Sequence, residues 1–358
     1  MRKLSRRDLL LRLAAGAGAL TVQQLLAACS PRPTSTPLPS LTGIPTEVVH
    51  PTSTVAPTNP TGTSAPVISA TEATPTNTPV PQASPTPVNY DLVVVKNGEP
   101  EALVRKAIEA MGGMSKFIKP GAKVIIKPNI CVDYHTYEYA ATTNPWIVGA
   151  LVKMCKEAGA GSVRVMDQPF GGTAKSAYAK SGIEEQVKAN GGEMVIMSGY
   201  KYVPAKIPAG KHLKSTVLYD EFLKADAIIN VPIAKTHSLA RLTLGMKNLM
   251  GVIDDRPGMH SDLGQRLADL YTLLRPTLNV IDAVRILTQF GPTGGDLSYV
   301  KKLDTVLVSR DIVAADTYAA GFFNVKPDSL DYITAGVAMK IGRSDLNHLM
   351  IQEINLAA

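Results

Sequence analysis

The chain has 358 residues, of which 45% are hydrophobic and 19% are charged. This composition excludes a wholly disordered chain and a multi-span membrane protein. Of the net charge of +7, residues 1–28 carry +4 and residues 89–358 carry +4, with −1 between them. No run of Lys and Arg is interleaved with aromatic residues, so we expect no nucleic-acid partner.

The first 28 residues have the features of a bacterial export signal. Arg6 and Arg7 precede a weakly apolar run at 11–26, which is too short and too rich in Gly and Ala to span a membrane. The sequence Leu-Ala-Ala-Cys at 26–29 resembles the lipobox of bacterial lipoproteins, in which the cysteine is lipidated. We predict a twin-arginine signal peptide over 1–28 and a lipid anchor at Cys29. The protein is then expected outside the cytoplasm, on the outer face of the cytoplasmic membrane or at the cell surface.

Residues 29–88 are predicted to be a disordered tether. Fourteen of the 26 prolines fall between Pro31 and Pro87, six of them in Thr-Pro or Ser-Pro pairs. Such a segment has no periodic apolar face and favours extended, polyproline-like conformers. Residues 89–358 remain as one folded region, which is long enough to bury a substantial core.

From Tyr90 onward, short β-branched runs alternate with longer amphipathic segments. This alternation is typical of a mostly parallel sheet covered by helices, so we predict a three-layer α/β domain. The predicted strands are 92–95, 123–126, 162–166, 194–197, 227–231, 278–281 and 305–308. The predicted helices are 100–111, 145–158, 263–274, 312–323 and 330–339.

Polar residues follow the predicted strands where a ligand would bind, because open α/β sheets bind ligands beyond the carboxyl ends of their strands. Lys127, Asn129 and Asp167 follow the second and third strands, and Asp282 follows the sixth. A Gly-rich loop at 291–296 comes later. We expect these groups to meet at one edge of the sheet.

The segment 235–251 is the richest in functional groups and follows a predicted buried strand. Its basic side chains and glycine amides suit a carboxylate or a phosphate, although a solvated basic face is the alternative. The predicted anion-binding residues, here and at the second strand, are Lys127, Asn129, Arg241, Lys247 and Asn248.

His237 is the predicted proton-transferring residue, since an imidazole titrates near neutral pH, and Lys235 and Asp167 are its predicted catalytic partners. A transition metal bound by His237, His260 and Asp282 is a second interpretation. Ordinary structural roles stay open: a hydrogen-bonded histidine, and helix caps for the two aspartates.

Cys131 and Cys155 are the cysteines of the folded region, and no Cys-x-x-Cys occurs. An iron–sulfur cluster or a cysteine-built zinc site within this chain is therefore excluded. A disulfide between them and two buried free thiols are both left open.

Several motifs together resemble a known family. They are Lys-Pro-Asn at 127–129, Thr-Thr-Asn-Pro at 142–145, Asp167, Lys-Thr-His at 235–237, Gly-Met-Lys-Asn-Leu-Met-Gly at 245–251, His260, Asp-Ala at 282–283 and Gly-Pro at 291–292. Over nearly all of 92–350 the chain resembles the bacterial and archaeal family called domain of unknown function 362. Members often carry ferredoxin-type cysteine clusters, so the resemblance implies a redox setting and a redox partner protein. The region 237–251 is also similar to the lactate racemase family, which holds a nickel-pincer cofactor.

Three functions fit these features. The first is an extracytoplasmic enzyme acting on a small anionic substrate, in a redox- or metal-linked setting. The second is a non-catalytic solute-binding lipoprotein, and the third is a module that docks with a membrane redox complex. We favour the enzyme, because the basic groups and His237 are expected to meet at one edge of the sheet.

Overall fold

A computed structural model describes residues 89–357. The predicted signal peptide, the predicted tether and Cys29 lie outside the described residues. Among residues 89–357, no helix is both long enough and apolar enough to cross a membrane.

The strands and helices of the described region follow one another in the alternating order that the sequence predicts. The strands are β1 Leu92–Lys96, β2 Lys123–Pro128, β3 Ser162–Val165, β4 Glu193–Met194, β5 Tyr202–Lys206, β6 Ser215–Tyr219, β7 Ala227–Val231, β8 Ile233–His237, β9 Arg241–Thr243, β10 Leu278–Leu287, β11 Val300–Ser309 and β12 Ile351–Asn355. The α-helices are α1 Pro100–Ala110, α2 Pro145–Glu157, α3 Ala174–Lys180, α4 Ile183–Ala189, α5 Glu221–Lys224, α6 Gly245–Asn248, α7 Leu263–Leu274, α8 Ile312–Ala320 and α9 Asp331–Ala338.

The central sheet has the strand order β12-β1-β11-β10-β7-β2-β3-β4. All neighbours in this order are parallel except β11, which is antiparallel to β1 and to β10. β8 continues the chain after β7, pairs with β10 in parallel and forms an antiparallel hairpin with β9. β5 and β6 form a separate antiparallel ribbon. The sheet is therefore mixed and mostly parallel, as predicted.

The sheet separates two apolar cores, because successive side chains of a strand point to opposite faces. In β1, Leu92 and Val94 belong to one core, and Val93 and Val95 belong to the other. Helices α7, α8 and α9 pack on the first face, and α1 and α2 pack on the second. This arrangement is the predicted three-layer α/β architecture.

Elements with a weak pattern were missed in the sequence. The sequence predicts no strand at β5, β6, β8, β9 or β12, and the predicted strand 194–197 is reduced to Glu193–Met194. β8 was missed because Pro232 separates it from β7, so residues 235–237 looked like a loop. The five predicted helices are all present, and α7 has the predicted bounds.

Cys131 and Cys155 are both buried free thiols. They belong to separate apolar clusters, and burial raises the pKa of Cys155 to about 12. Of the two alternatives that the sequence left open, the structure therefore has the free thiols.

Candidate functional site

The segment after β7 folds into a hairpin and a short helix that is anchored to α8. Lys235 of β8 lies opposite Thr243 of β9. The N–H of Gly245 donates to Asp316 Oδ1 at 2.6 Å, and the N–H of Met246 donates to Oδ2 at 3.0 Å. A Cβ atom on Gly245 would lie 2.7 Å from that Oδ1 atom, so this close approach requires glycine. Asp316, whose pKa burial raises to about 7, thus fixes the position of α6.

One cavity of about 340 Å³ lies where these elements meet the ends of β2 and β3. The loop after β10 closes it with Pro292. Of the residues singled out in the sequence, those that line it are Asn129, Asp167, Lys235, His237, Lys247, Asn248 and His260. Lys127, Arg241 and Asp282 are not among its lining residues.

Lys127 and Asp167 form a buried ion pair behind the cavity. Lys127 Nζ donates to Asp167 Oδ1 at 2.7 Å, to Pro128 O at 2.9 Å and to Asn248 Oδ1 at 3.1 Å. Asp167 Oδ2 accepts the N–H of Ile130 at 2.7 Å. Burial lowers the pKa of Lys127, an effect that the Asp167 carboxylate opposes. Contrary to the expectation from the sequence, Lys127 has no proton left for a ligand, and Asp167 is its structural partner rather than a free catalytic carboxylate.

Lys235 is held in the same way. Its Nζ atom donates to Ala141 O at 2.6 Å, to Asn129 Oδ1 at 2.9 Å and to Pro292 O at 2.9 Å. Its three ammonium protons are all donated to these acceptors. Lys235 therefore connects β8 to the loop after β2 and to the loop after β10. Burial lowers its pKa. The predicted catalytic role of Lys235 is replaced by a structural one, although its charge still acts on the cavity.

Asn129 and Asn248 extend this buried network. Asn129 Nδ2 donates to Asn248 Oδ1 at 3.1 Å. Asn248 Nδ2 donates to Asn230 Oδ1 at 2.9 Å and to Lys127 O at 3.2 Å. Asn248 is thus fully engaged with protein groups and shapes the cavity wall, instead of binding an anion as expected.

The imidazole of His237 is fixed as a neutral hydrogen-bond donor. Its Nδ1 atom accepts the N–H groups of Leu239 at 3.0 Å and Ala240 at 3.3 Å, so the ring proton is on Nε2. Burial, with the charges of Lys247 and Lys235, lowers its pKa to about 3. The predicted exchange of a proton near neutral pH therefore does not fit His237. A metal on Nε2 would need the proton on Nδ1, which the two N–H donors prevent.

The predicted metal-binding trio is not assembled. His260 lines the cavity, with Nδ1 3.3 Å from Pro257 O. Asp282 lies within β10, where its carboxylate accepts the N–H groups of Asn144 at 2.7 Å and Val284 at 3.0 Å. Burial raises the pKa of Asp282 to about 6. Within residues 89–357, no group of three or more His, Cys, Asp or Glu side chains is placed to hold a metal ion. The donor set thus does not fit a transition metal.

Lys247 differs from the other two lysines, because its ammonium has no hydrogen bond or ion pair within the described region. Burial and the neighbouring charges of Lys235, Arg256 and Lys127 lower its pKa to about 8. Among the lining residues of the described region, Asp167 is the one carboxylate, and Lys127 already neutralises it. The described lining is therefore positively charged, and among its cations Lys247 lacks a hydrogen-bond partner.

Arg241 is displaced from the cavity by the turn of the hairpin. It has a φ of 60°, its side chain is exposed, and Nη1 donates to Ser329 O at 3.1 Å. Arg241 lies at the turn end of the β8–β9 hairpin and is not among the lining residues, so the structure does not bring it together with the other predicted anion-binding residues.

Some lining residues were missed as site residues in the sequence. Arg256 donates from Nη1 to the carbonyls of Gln168 and Pro169, both at 3.2 Å, and adds positive charge. Thr243 is buried, and its Oγ1 atom has no hydrogen-bond partner among the described residues. Phe170 and Leu239 lie at the mouth. Of these, only Arg256 could have been noticed in the sequence, as a further basic residue five positions after Gly251.

The sequence of residues 124–321 matches the family described as domain of unknown function (DUF362). The chain belongs to this family. One relative, the thylakoid-associated protein sll1697 of Synechocystis, is 26% identical over 243 residues, which are 65% of this chain and 73% of the relative.

Two solved structures are also similar to this DUF362 protein. The lactate racemase apoprotein of Thermoanaerobacterium thermosaccharolyticum has a TM-score of 0.41 and 14% identity over 65% of this chain. A protein of Thermotoga maritima has a TM-score of 0.38 and 12% identity over 63% of this chain. The chain spans 57% and 58% of these two structures, respectively, which is less than two thirds of either.

Proposed function

We propose that this DUF362 protein is an enzyme that binds a small anionic substrate, a carboxylate or a phosphate, in the cavity. The observation that carries the proposal is the unpaired ammonium of Lys247 in a cavity whose one carboxylate, Asp167, is already paired. An ammonium that is partly buried without a partner is costly, and an anionic ligand removes that cost.

The electrostatics of the cavity support the same ligand class. Lys235 and Arg256 donate to neutral carbonyl and amide oxygens, so their charges are not cancelled. Both charges act on the cavity together with that of Lys247. A concave site lined with one sign of charge concentrates ligands of the opposite sign.

Lys247 is also the group best suited to move a proton. A pKa of about 8 leaves both protonation states accessible near neutral pH, which general acid–base catalysis requires. His237, fixed with its proton on Nε2, supplies a donor that needs no reorganisation when charge develops on a substrate oxygen. Proton transfer is thus assigned to Lys247 and oxyanion stabilisation to His237.

The test is to incubate the full-length protein with a panel of small carboxylates and phosphates and to follow each compound by NMR. Saturation transfer reports binding, and new resonances report conversion. We expect at least one compound to bind and be converted, and Lys247→Met to abolish both. Lys153→Met, on the exposed face of α2, is the matched control. If no compound binds, or if Lys247→Met behaves like wild type, the proposal is wrong.

Solute binding without conversion is the second candidate. It is favoured by the internal pairing of Lys127, Lys235 and Asn248, which makes the cavity preformed and leaves few reactive groups. The same experiment separates the two functions, because a binding protein would return every bound compound unchanged.

We also propose that the protein is exported by the twin-arginine route and anchored by lipid at Cys29. The Arg6-Arg7 pair and the Leu-Ala-Ala-Cys sequence at 26–29 support this location. The Synechocystis relative is named for its association with thylakoids, which agrees with a place at a membrane.

Cell fractionation tests this location. Cys29→Ala should move the protein from the membrane to the soluble fraction, because acyl chains supply the membrane affinity. The double variant Arg6→Lys, Arg7→Lys should stay in the cytoplasm, and Ser30→Ala should behave like wild type. A Cys29→Ala protein that stays with the membrane would contradict the anchor.

A further inference from the structure

We infer that the substrate of this site is amphiphilic, with an anionic group at one end and an apolar substituent at the other. This inference rests on the proposed function and adds two points to it. It assigns Thr243 and His237, with Lys247, to the anionic group. It also assigns the apolar mouth of the cavity to the rest of the substrate.

Three donors of residues that line the cavity have no acceptor among the described residues. Thr243 is only 2% exposed, and its Oγ1 atom is buried without a hydrogen-bond partner. An unsatisfied buried hydroxyl costs free energy, so a ligand that accepts its hydrogen bond is favoured. Lys247 Nζ has no partner, and His237 has Nε2–H left because Nδ1 is occupied. Together they offer two neutral donors and one cation, a set that suits the several oxygens of one carboxylate or phosphate.

Part of the cavity lining is apolar. Phe170 and Leu239 belong to it, and they remain 69% and 65% exposed. Ile130 and Met250, both buried, are further apolar lining residues. Single exposed apolar side chains are common on protein surfaces, but two at the mouth of one charged cavity mark a place where an apolar group binds. A small inorganic anion would leave this surface in water.

The test is a series of straight-chain carboxylates from acetate to octanoate, titrated into the full-length protein by calorimetry. Their charge is constant at pH 7, so only apolar length changes. Burial of a methylene strengthens binding by up to about fourfold. We expect octanoate to bind at least about tenfold more tightly than acetate. Equal affinities, or no binding of any member by a protein that binds inorganic phosphate, would overturn the inference and leave the proposed anion site intact. No binding of either phosphate or any carboxylate would overturn both.

Variants at the mouth show whether the higher affinity for octanoate than for acetate arises there. The double variant Phe170→Ser, Leu239→Ser should lose most of this difference in affinity and keep the affinity for acetate. Tyr200→Ser, at an exposed aromatic residue outside the cavity lining, is the matched control. A gain that survives in the double variant would come from non-specific association and would contradict the inference.

The anion donors are tested at Thr243. Thr243→Val has nearly the same shape and removes a hydroxyl that has no protein partner, so the melting temperature should not fall. Acetate affinity should fall by about tenfold or more, the value of one hydrogen bond to a charged group. An unchanged affinity in a folded Thr243→Val protein would remove Thr243 from the site.

Discussion

Lys127 and Asp167 form a buried ion pair, with 2.7 Å between Nζ and Oδ1, at the ends of the neighbouring strands β2 and β3. The two opposite charges of the pair cancel, so the pair adds nothing to the net charge of the cavity. Lys247 remains as the lining cation without a hydrogen-bond partner among the described residues. Lys235 and Arg256 add positive charge, because their hydrogen bonds go to neutral oxygens. The ligand class of the cavity therefore depends on this pair, although neither partner is assigned to contact the ligand.

Gly251 is the position at which the ion pair is most easily disrupted. A Cβ atom there would lie 2.0 Å from Asp167 Oδ1 and 2.8 Å from Lys127 Nζ. Gly251→Ala should therefore separate the pair and lower the free energy of unfolding by about 3 kcal/mol or more. Urea unfolding measures the loss. Gly321→Ala, where nothing lies within 4 Å of the added Cβ, should change stability by less than about 0.5 kcal/mol. Equal stabilities of the two variants would contradict the geometry.

His237 should remain neutral, with its proton on Nε2, throughout the working pH range. Its pKa of about 3 lies far below the usual value for histidine, and two N–H groups occupy Nδ1. In ¹⁵N NMR spectra of the labelled imidazole, Nδ1 should appear as the unprotonated nitrogen at every pH between 8 and 5. A titration near pH 6.5 would contradict this assignment and would restore His237 as a proton-transferring residue.

Anion affinity should fall as the pH rises above about 8. Lys247 is positively charged below its pKa of about 8 and neutral above it, so the attraction is present at pH 7 and lost at higher pH. Sulfate is a suitable probe because its charge is constant from pH 6.5 to 9.5. Its affinity should fall by up to about tenfold per pH unit above 8. The sulfate affinity of Lys247→Arg should stay constant over this pH range. A wild-type sulfate affinity that does not depend on pH would exclude Lys247 as the binding cation.

The two cysteines of the folded region should not affect stability through a disulfide. Both are free and buried. Adding dithiothreitol should leave the melting temperature unchanged, because there is no cross-link to reduce. A fall of several degrees would show that Cys131 and Cys155 are joined in solution.

The architecture was predictable because the pattern of short β-branched runs and amphipathic segments is repeated along the region. Each of the helices α1, α2, α7 and α9 covers one face of the sheet and has an apolar stripe, and α8 is buried on nearly all sides. The β5–β6 ribbon buries few side chains and β9 has only three residues, so no comparable pattern marked them. β8 was hidden by Pro232, which ended the predicted strand.

The sequence indicated which residues belong to the site better than it indicated what each residue does there. Strand ends brought Asn129, Asp167 and Lys235 together, as expected for an α/β sheet. Their roles depend on partners far along the chain, such as Ala141 and Pro292 around the Lys235 ammonium. No spacing in the sequence indicates that a lysine is saturated by carbonyl oxygens. Thr243 could not be singled out, since an unpartnered hydroxyl is a property of the folded structure alone.

The central claim is that Lys247 binds a small anion in the cavity. The most direct measurement is the affinity of sulfate at pH 7, by titration calorimetry, for the wild-type full-length protein and for Lys247→Met, with Lys153→Met as the control. We predict saturable binding at one site for wild type and Lys153→Met, and binding weakened by about tenfold or more in Lys247→Met. Equal affinities for all three proteins, or no binding to wild type, would contradict the claim.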